Sequence, residues 1–249
     1  MTTLAQRLPD EPCWLETRGM LLSGRCRLLG TPSVTDGFVL RATDTPLAVV
    51  VGRPRPDLIE QAVDRRDLSV LAQTGNASHV SQALPTWKET IAILHAVGDR
   101  TPLAGALGNH DVRLLDLAEP LPDMLPPALR EELRIARHHS PLAVAYSHGE
   151  AAAFCYAAWE TETLWDVSID TLEAHRGRGL GGSAVALLAQ LMREKGKAPV
   201  WGALDTNVAS MRLARKLGFV PVDRLTLFAT DTPSPFFKPV QPSGTEVRS

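Results

Sequence analysis

Apolar residues recur along this chain in two rhythms, and their alternation sets out the elements. Pro46–Val51 (PLAVVV) is an unbroken apolar run, as in a buried strand. A Gly-Arg-Pro turn follows, and then Leu58, Ile59, Ala62 and Val63 recur at helical spacing. Asp67–Ala72 predicts another strand, Ala77–Leu84 a helix, and Ile91–Val97 and Val112–Leu117 further strands. Residues 118–127 contain four prolines and predict a connection between two halves. Pro127 suits the first turn of a helix, where its missing N–H would be unpaired anyway, and Leu129, Leu133 and Ala136 give that helix one apolar face.

The second half begins with three strand-like runs, Pro141–Tyr146, Ala151–Trp159 and Leu164–Leu172. Turns at His148-Gly149 and Glu160–Thr163 join them into an antiparallel meander. Gly181–Lys195 then carries Ala184, Leu187, Leu188, Leu191 and Met192 on one helical face, with Gly196 as the stop. Pro199–Leu204 predicts a strand, Val208–Leu217 a helix closed by Gly218, and Phe219–Phe228 a final strand. The expected organisation is an α/β half over residues 1–120, a second domain over 121–230, and a Pro/Ser/Thr-rich, disordered tail over 231–249. Both halves end in strand–turn–helix–strand–helix–strand, with Asn76 and Asn207 each opening the second helix. The first half therefore reads as a degenerate copy of the second, or both follow common β/α grammar.

Composition narrows the function classes. With 44% hydrophobic and 22% charged residues the chain can bury a core, and a net charge of -2 gives no basic excess for nucleic acid. No apolar run approaches the ~20 residues of a membrane span, and Met1–Asp10 lacks a signal-peptide core. The three cysteines, Cys13, Cys26 and Cys155, form no CxxC pair, so neither a disulfide framework nor a metal site is expected. The expectation is a cytoplasmic protein, monomer or homodimer, without membrane, metal or nucleic-acid partners.

The chemistry concentrates at Arg176-Gly177-Arg178-Gly179-Leu180-Gly181-Gly182, between a strand and a helix. Glycines let the chain turn its N–H groups toward one point, the helix N-terminus adds the positive end of its dipole, and two arginines add full charges. Such a loop suits a pyrophosphate. A Rossmann site would want an earlier parallel βαβ unit and a downstream acid, and a Walker A loop would want Gly-Lys-Ser/Thr; both are missing here.

Arg176, Gly179 and Gly181 match the Arg/Gln-x-x-Gly-x-Gly/Ala signature of the GNAT superfamily, and Asn207, Ser210 and Leu217-Gly218-Phe219 match its second signature. Over roughly Leu129–Phe228 the chain resembles that superfamily. The resemblance implies an α+β fold, a mixed sheet flanked by helices and splayed between its fourth and fifth strands, here Leu164–Leu172 and Pro199–Leu204. It implies acetyl-CoA as co-substrate and a small-molecule or protein amine as acceptor. Pantetheine would pair with backbone near Thr171 and Leu172, the pyrophosphate would take N–H groups from Arg176 to Gly182, and Asn207 with Ser210 would contact the pantetheine or shape the cleft.

An alkyl amine is mostly protonated at neutral pH, so a base must take its proton. Asp166, Ser168 and Asp170 alternate to one face of the fourth strand, and Asp166 lies deepest from the pyrophosphate turn. It is the candidate base, beside the alternative of a solvated acid; Glu162 in the adjoining turn is a weaker candidate. Where many relatives place a proton-donating tyrosine, five residues before the Phe of Leu-Gly-Phe, this chain has Ala214. Three readings follow: an acetyltransferase using direct attack in a ternary complex, an acyl-CoA-binding regulatory module, or a structural interaction protein.

Overall fold

The computed structural model describes residues 2–31, 33, 36–64, 67–98 and 102–230; the expected tail lies outside the described residues. In chain order the elements are helix α1 (Thr2–Ala5), α2 (Leu15–Ser23), strands β1 (Cys26–Leu29), β2 (Phe38–Ala42) and β3 (Leu47–Val51), α3 (Pro56–Ala62), β4 (Ser69–Gln73), α4 (Ala77–Ala83) and β5 (Lys88–Val97). They continue through β6 (Asp111–Leu115), α5 (Pro127–Ala136), β7 (Leu142–Ser147), β8 (Glu150–Glu160), β9 (Leu164–Thr171), α6 (Leu180–Glu194), β10 (Ala198–Leu204), α7 (Val208–Lys216) and β11 (Phe219–Ala229). Short 3-10 helices precede α2, α4, β6 and α6.

All strands join one 11-stranded mixed sheet in the order β1-β2-β3-β4-β11-β5-β10-β9-β8-β7-β6. The order carries an internal symmetry. In the first half β1–β2 and β2–β3 are antiparallel and β3–β4 parallel; in the second half β7–β8, β8–β9 and β9–β10 repeat the series. The halves then exchange their last strands. β5 pairs with β10, β11 pairs with β4, and β5 and β11 pair antiparallel with each other at the centre. The arrangement is two copies of one strand series joined through their exchanged last strands, with β6 added at the outer edge against β7.

Helices α3 and α4 cover one face of the first half, burying Ile59, Ala62 and Val80 against Val39, Val50 and Val70. Helix α6 covers the corresponding face of the second half, burying Ala184, Leu188 and Met192 against Ala153, Trp165 and Val167. On the opposite face the sheet wraps around α1 and α2, because Leu15, Met20 and Leu21 pack against both Phe38 and Leu40 of the first half and Trp159 and Val200 of the second. Arg25 closes this wrap, lying over the Trp159 ring at 4.2 Å and donating to the Ala158 carbonyl at 3.1 Å. Helix α5 sits on the same face, with Leu129 and Leu133 against Val144 and Phe154.

Helix α5 starts at Pro127, and the β7–β8 turn falls at His148-Gly149, whose φ values of 53° and 84° suit a tight hairpin. The first 23 residues had no predicted elements, yet they supply α1 and α2.

Candidate active site

The opening between β9 and β10 follows from their register. Only Leu164, Trp165 and Asp166 pair with Ala198, Pro199 and Val200; beyond Asp166 and Val200 the strands separate. The matching strands of the first half, β3 and β4, stay paired from Leu47–Ser69 to Val50–Ala72, almost their full length. One half therefore has an opening and the other is closed.

Along β9 the odd residues turn their backbone toward β10 and the even ones toward β8, as the Leu172 amide does in donating to the Ala152 carbonyl at 2.9 Å. Thr171 and Ile169, rather than the Leu172 amide, face the opening with their main chain. The Thr171 carbonyl accepts from Arg176 Nε at 3.3 Å, which ties the loop to the strand.

At the end of the opening lies the glycine loop. Gly177 and Gly179 have φ of 78° and 85°, the left-handed region, and Gly179 caps α6. The amides of Gly177, Arg178 and Gly179 find no backbone acceptor among the described residues, and those of Leu180, Gly181 and Gly182 open the helix, where none is available within it. The loop is sculpted for close approach. A Cβ on Gly181 would stand 2.8 Å from Thr171 Oγ1, and one on Gly182 3.3 Å from Leu217 Cδ2. Leu180 is buried in the α6 core, so it offers only its amide. Arg176 and Arg178 are exposed, with Arg178 reaching Ser147 Oγ at 3.5 Å. These unused amides and cations form a donor set suited to a polyanion such as a pyrophosphate.

The sequence did not reveal His110. The segment between the halves docks on the start of α6, where Ser183 Oγ donates to the Ala106 carbonyl at 2.8 Å, and brings the His110 ring to 3.3 Å from where a Gly179 Cβ would stand.

Asn207 and Ser210 sit at the start of α7. The Asn207 side chain accepts from the Ser210 amide at 3.1 Å, and Ser210 Oγ accepts from Trp201 Nε1 at 2.9 Å. Both have a structural engagement, and the Asn207 amide nitrogen is the group left for a ligand. Trp165 and Trp201 are buried in the core beneath the opening, and Trp201 meets Phe219 edge-on at 5.4 Å between centroids.

Asp166, Ser168 and Asp170 do share one face of β9, the face turned from α6 toward α2. Burial pushes the Asp166 carboxyl above the ordinary aspartate range. Glu16 of α2 feels its charge: the Glu16 carboxyl is raised by burial and then by the Asp166 charge. Glu162 has a different task. Arg18 grips it with Nε and Nη2, both at 2.8 Å, and its pKa is lowered by that bond, which suits a clamp rather than a base. Ala214 is fully buried, so that position offers nothing to a leaving sulfur. Tyr156 donates to Glu132 Oε1 at 2.6 Å, and Tyr146 lies under the Arg113 guanidinium at 4.9 Å. Cys155 is fully buried and its thiol is pushed up by burial, which suits a core residue rather than an acyl carrier.

Among the described residues no group of three or more His, Cys, Asp or Glu is arranged to hold a metal, and no helix is long and apolar enough to cross a membrane.

Residues 143–228 match the family model for GNAT acetyltransferases. Among solved structures, the fold is similar to a GCN5-related N-acetyltransferase-like protein from Streptococcus suis 89/1591, with 15% identity, a TM-score of 0.68, and 92% of this chain and 99% of that one covered. A putative GNAT-family acetyltransferase from Novosphingobium aromaticivorans DSM 12444 follows with 16% identity, a TM-score of 0.60, and 90% and 98% covered. A tandem GNAT protein from the clavulanic acid biosynthesis pathway has 16% identity, a TM-score of 0.55, and 91% of both chains covered. At these identities the likeness concerns fold, and it spans both halves. No curated protein matches by sequence.

Proposed function

We propose, for a chain whose residues 143–228 match the family model of GNAT acetyltransferases, that the protein transfers an acetyl group from acetyl-CoA to a primary amine by direct attack in a ternary complex, in the cytoplasm. One observation carries this reading: the β9–β10 pairing ends at Asp166, and the opening leads to a glycine loop rich in unused amides. The first half supports it by contrast. Its β3–β4 pair is closed, and its loop, Gly52-Arg53-Pro54-Arg55-Pro56, loses two N–H donors to proline.

Acetyl-CoA would bring the activated acyl group. Thr171 and Ile169 would hold the pantetheine arm by their backbone, Gly177 to Gly182 with Arg176 and Arg178 the pyrophosphate, and Asn207 the wall of the cleft. Asp166 would take a proton from the incoming ammonium, since its raised proton affinity brings acceptor and donor closer in strength. In the balance a C–N bond replaces the C–S bond, one nitrogen proton ends on sulfur, and a second leaves through the carboxyl to solvent.

Ala214 favours a second reading, an acyl-CoA-binding regulatory module with little turnover. Titration calorimetry with acetyl-CoA tests what both share, and no heat at millimolar ligand would sink them together. Release of free CoA across a panel of small-molecule and peptide amines then separates enzyme from sensor.

A further inference from the structure

Helix α2 belongs to the first half by sequence, yet it lies across β8 and β9 of the second. Gly19 permits the approach: a Cβ there would stand 2.9 Å from Trp159 Cβ and 3.2 Å from the Glu160 carbonyl oxygen. Arg18 then locks the helix, bonding Glu162 at the β8–β9 turn and the carbonyls of Ala5 and Leu8 at the end of α1. Glu16 precedes Gly19 by three residues and so shares its helical face, directed at the sheet. There β9 offers Asp166, the last residue paired with β10 before the opening. One Glu16 oxygen is sealed from solvent and has no hydrogen-bond partner among the described residues.

We propose that the proton acceptor of the acyl-transfer site is a carboxyl pair, Asp166 with Glu16, so that the first half of the chain supplies one member of the second half's active site. The inference rests on reading the opening as that site. Two carboxylates in a desolvated place cannot both ionise, so the pair holds one proton and one negative charge at neutral pH. Asp166 meets the acceptor nitrogen, and Glu16 acts through it as a positioning residue that sets its proton affinity. Burial raises the proton affinity of both groups, and the Asp166 charge raises that of Glu16 further. The other titratable groups nearby are occupied or held neutral, the Cys155 thiol by burial and then by the Asp166 charge. Arg18 is spent on Glu162; Cys13 faces Asp223 of β11; on β8 Tyr156 is bound to Glu132, and Cys155 is buried; and Asp170 lies four residues along β9. The arrangement also gives the closed half a task, which is to complete the open one.

The test is a carbon-13 NMR titration of carboxyl groups in full-length protein labelled at aspartate and glutamate, with acetyl-CoA calorimetry alongside. Replacing Glu16→Gln should lower the Asp166 midpoint by about one unit or more, the coupling expected of such a pair. Glu16→Asp, which keeps a carboxyl, should hold the midpoint up, and acetyl-CoA affinity should stay unchanged in both variants. An Asp166 midpoint that ignores Glu16→Gln overturns the pair while leaving the acyl-CoA reading intact. Wild-type protein that binds no acetyl-CoA overturns that reading, and the inference with it.

Discussion

Replacing glycines by alanine can separate a loop built for anion binding from one that merely turns the chain. Gly177 and Gly179 hold φ of 78° and 85°, and Gly24, at the end of α2 and outside the loop, holds 69°. An L-residue in this region costs about 1–2 kcal/mol. At Gly24, which caps a packed helix, the strain should fall on the folded state and lower the melting temperature by roughly 2–4 °C per kcal/mol. The Gly177–Gly179 segment is exposed and its amides find no backbone acceptor among the described residues, so an alanine there can relax by leaving the left-handed region. The strain then reappears only when a ligand needs the amides turned inward. Gly177→Ala should weaken acetyl-CoA binding by roughly 5–30-fold, the equivalent of 1–2 kcal/mol, with little loss of thermal stability. Gly179→Ala should weaken it at least as much, because a Cβ there also stands 3.3 Å from His110 Nε2. Calorimetry with acetyl-CoA and thermal unfolding of all three variants provide the measurement. Loop variants that bind as tightly as Gly24→Ala would refute the reasoning, since the left-handed glycines would then serve the turn and not the ligand.

Other outcomes follow from the same geometry. Arg178→Glu should weaken acetyl-CoA by tenfold or more, and less at high salt, where exposed charges are screened beyond ~10 Å; equal affinity would remove Arg178 from the phosphate site. Asp166→Asn should lower turnover by roughly 10²–10⁴-fold with acetyl-CoA affinity kept. In the wild type the rate should rise with pH through a midpoint well above the ~3.9 of an ordinary aspartate, because only the ionised carboxyl takes a proton; a midpoint at that ordinary value would count against it. Raised folded-state values also mean that stability due to the Glu16–Asp166 protons is present at low pH and lost as pH rises through them, a slope that Asp166→Asn should flatten in pH-dependent denaturation. Arg18→Met should destabilise by about 3 kcal/mol in urea unfolding, because the Ala5 and Leu8 carbonyls lose their side-chain donor; a change within error would mean that α2 is held by its apolar contacts alone.

The second half was legible because its periodicity and its function coincide. Pro127, the His148-Gly149 turn and the apolar face of α6 each state a local preference that the fold obeys. The glycine loop was readable for a related reason: amides can be bared in this way only with glycine at particular places. Helix α2 was hidden because its buried face is not apolar throughout; Thr17, Arg18 and Gly19 are buried among Leu15, Met20 and Leu21, which blurs the helical stripe. The repeat was legible as grammar, but the exchange of β5 and β11 was not, because strand pairing is a non-local choice that leaves no mark in either segment. Glu16 was missed for the same reason, since its proposed tie to Asp166 spans 150 residues of chain and it belongs to no motif.

That exchange of strands has a consequence for how the molecule is made. Among the described strands β11 is the last to leave the ribosome, yet it takes a central place, between β4 and β5. Until it arrives, the first half has no partner for the β4 edge, and β5 has nothing on one side. Pairings so distant in sequence form slowly and leave unsatisfied edges exposed meanwhile. The chain therefore cannot mature domain by domain. A fragment ending before Phe219 should fail to give a folded first half, and a fragment starting after Val97 should lack the strand that backs β10, one wall of the opening. Catalytic competence in this protein would be the last property acquired during synthesis, and it would be acquired by both halves at once.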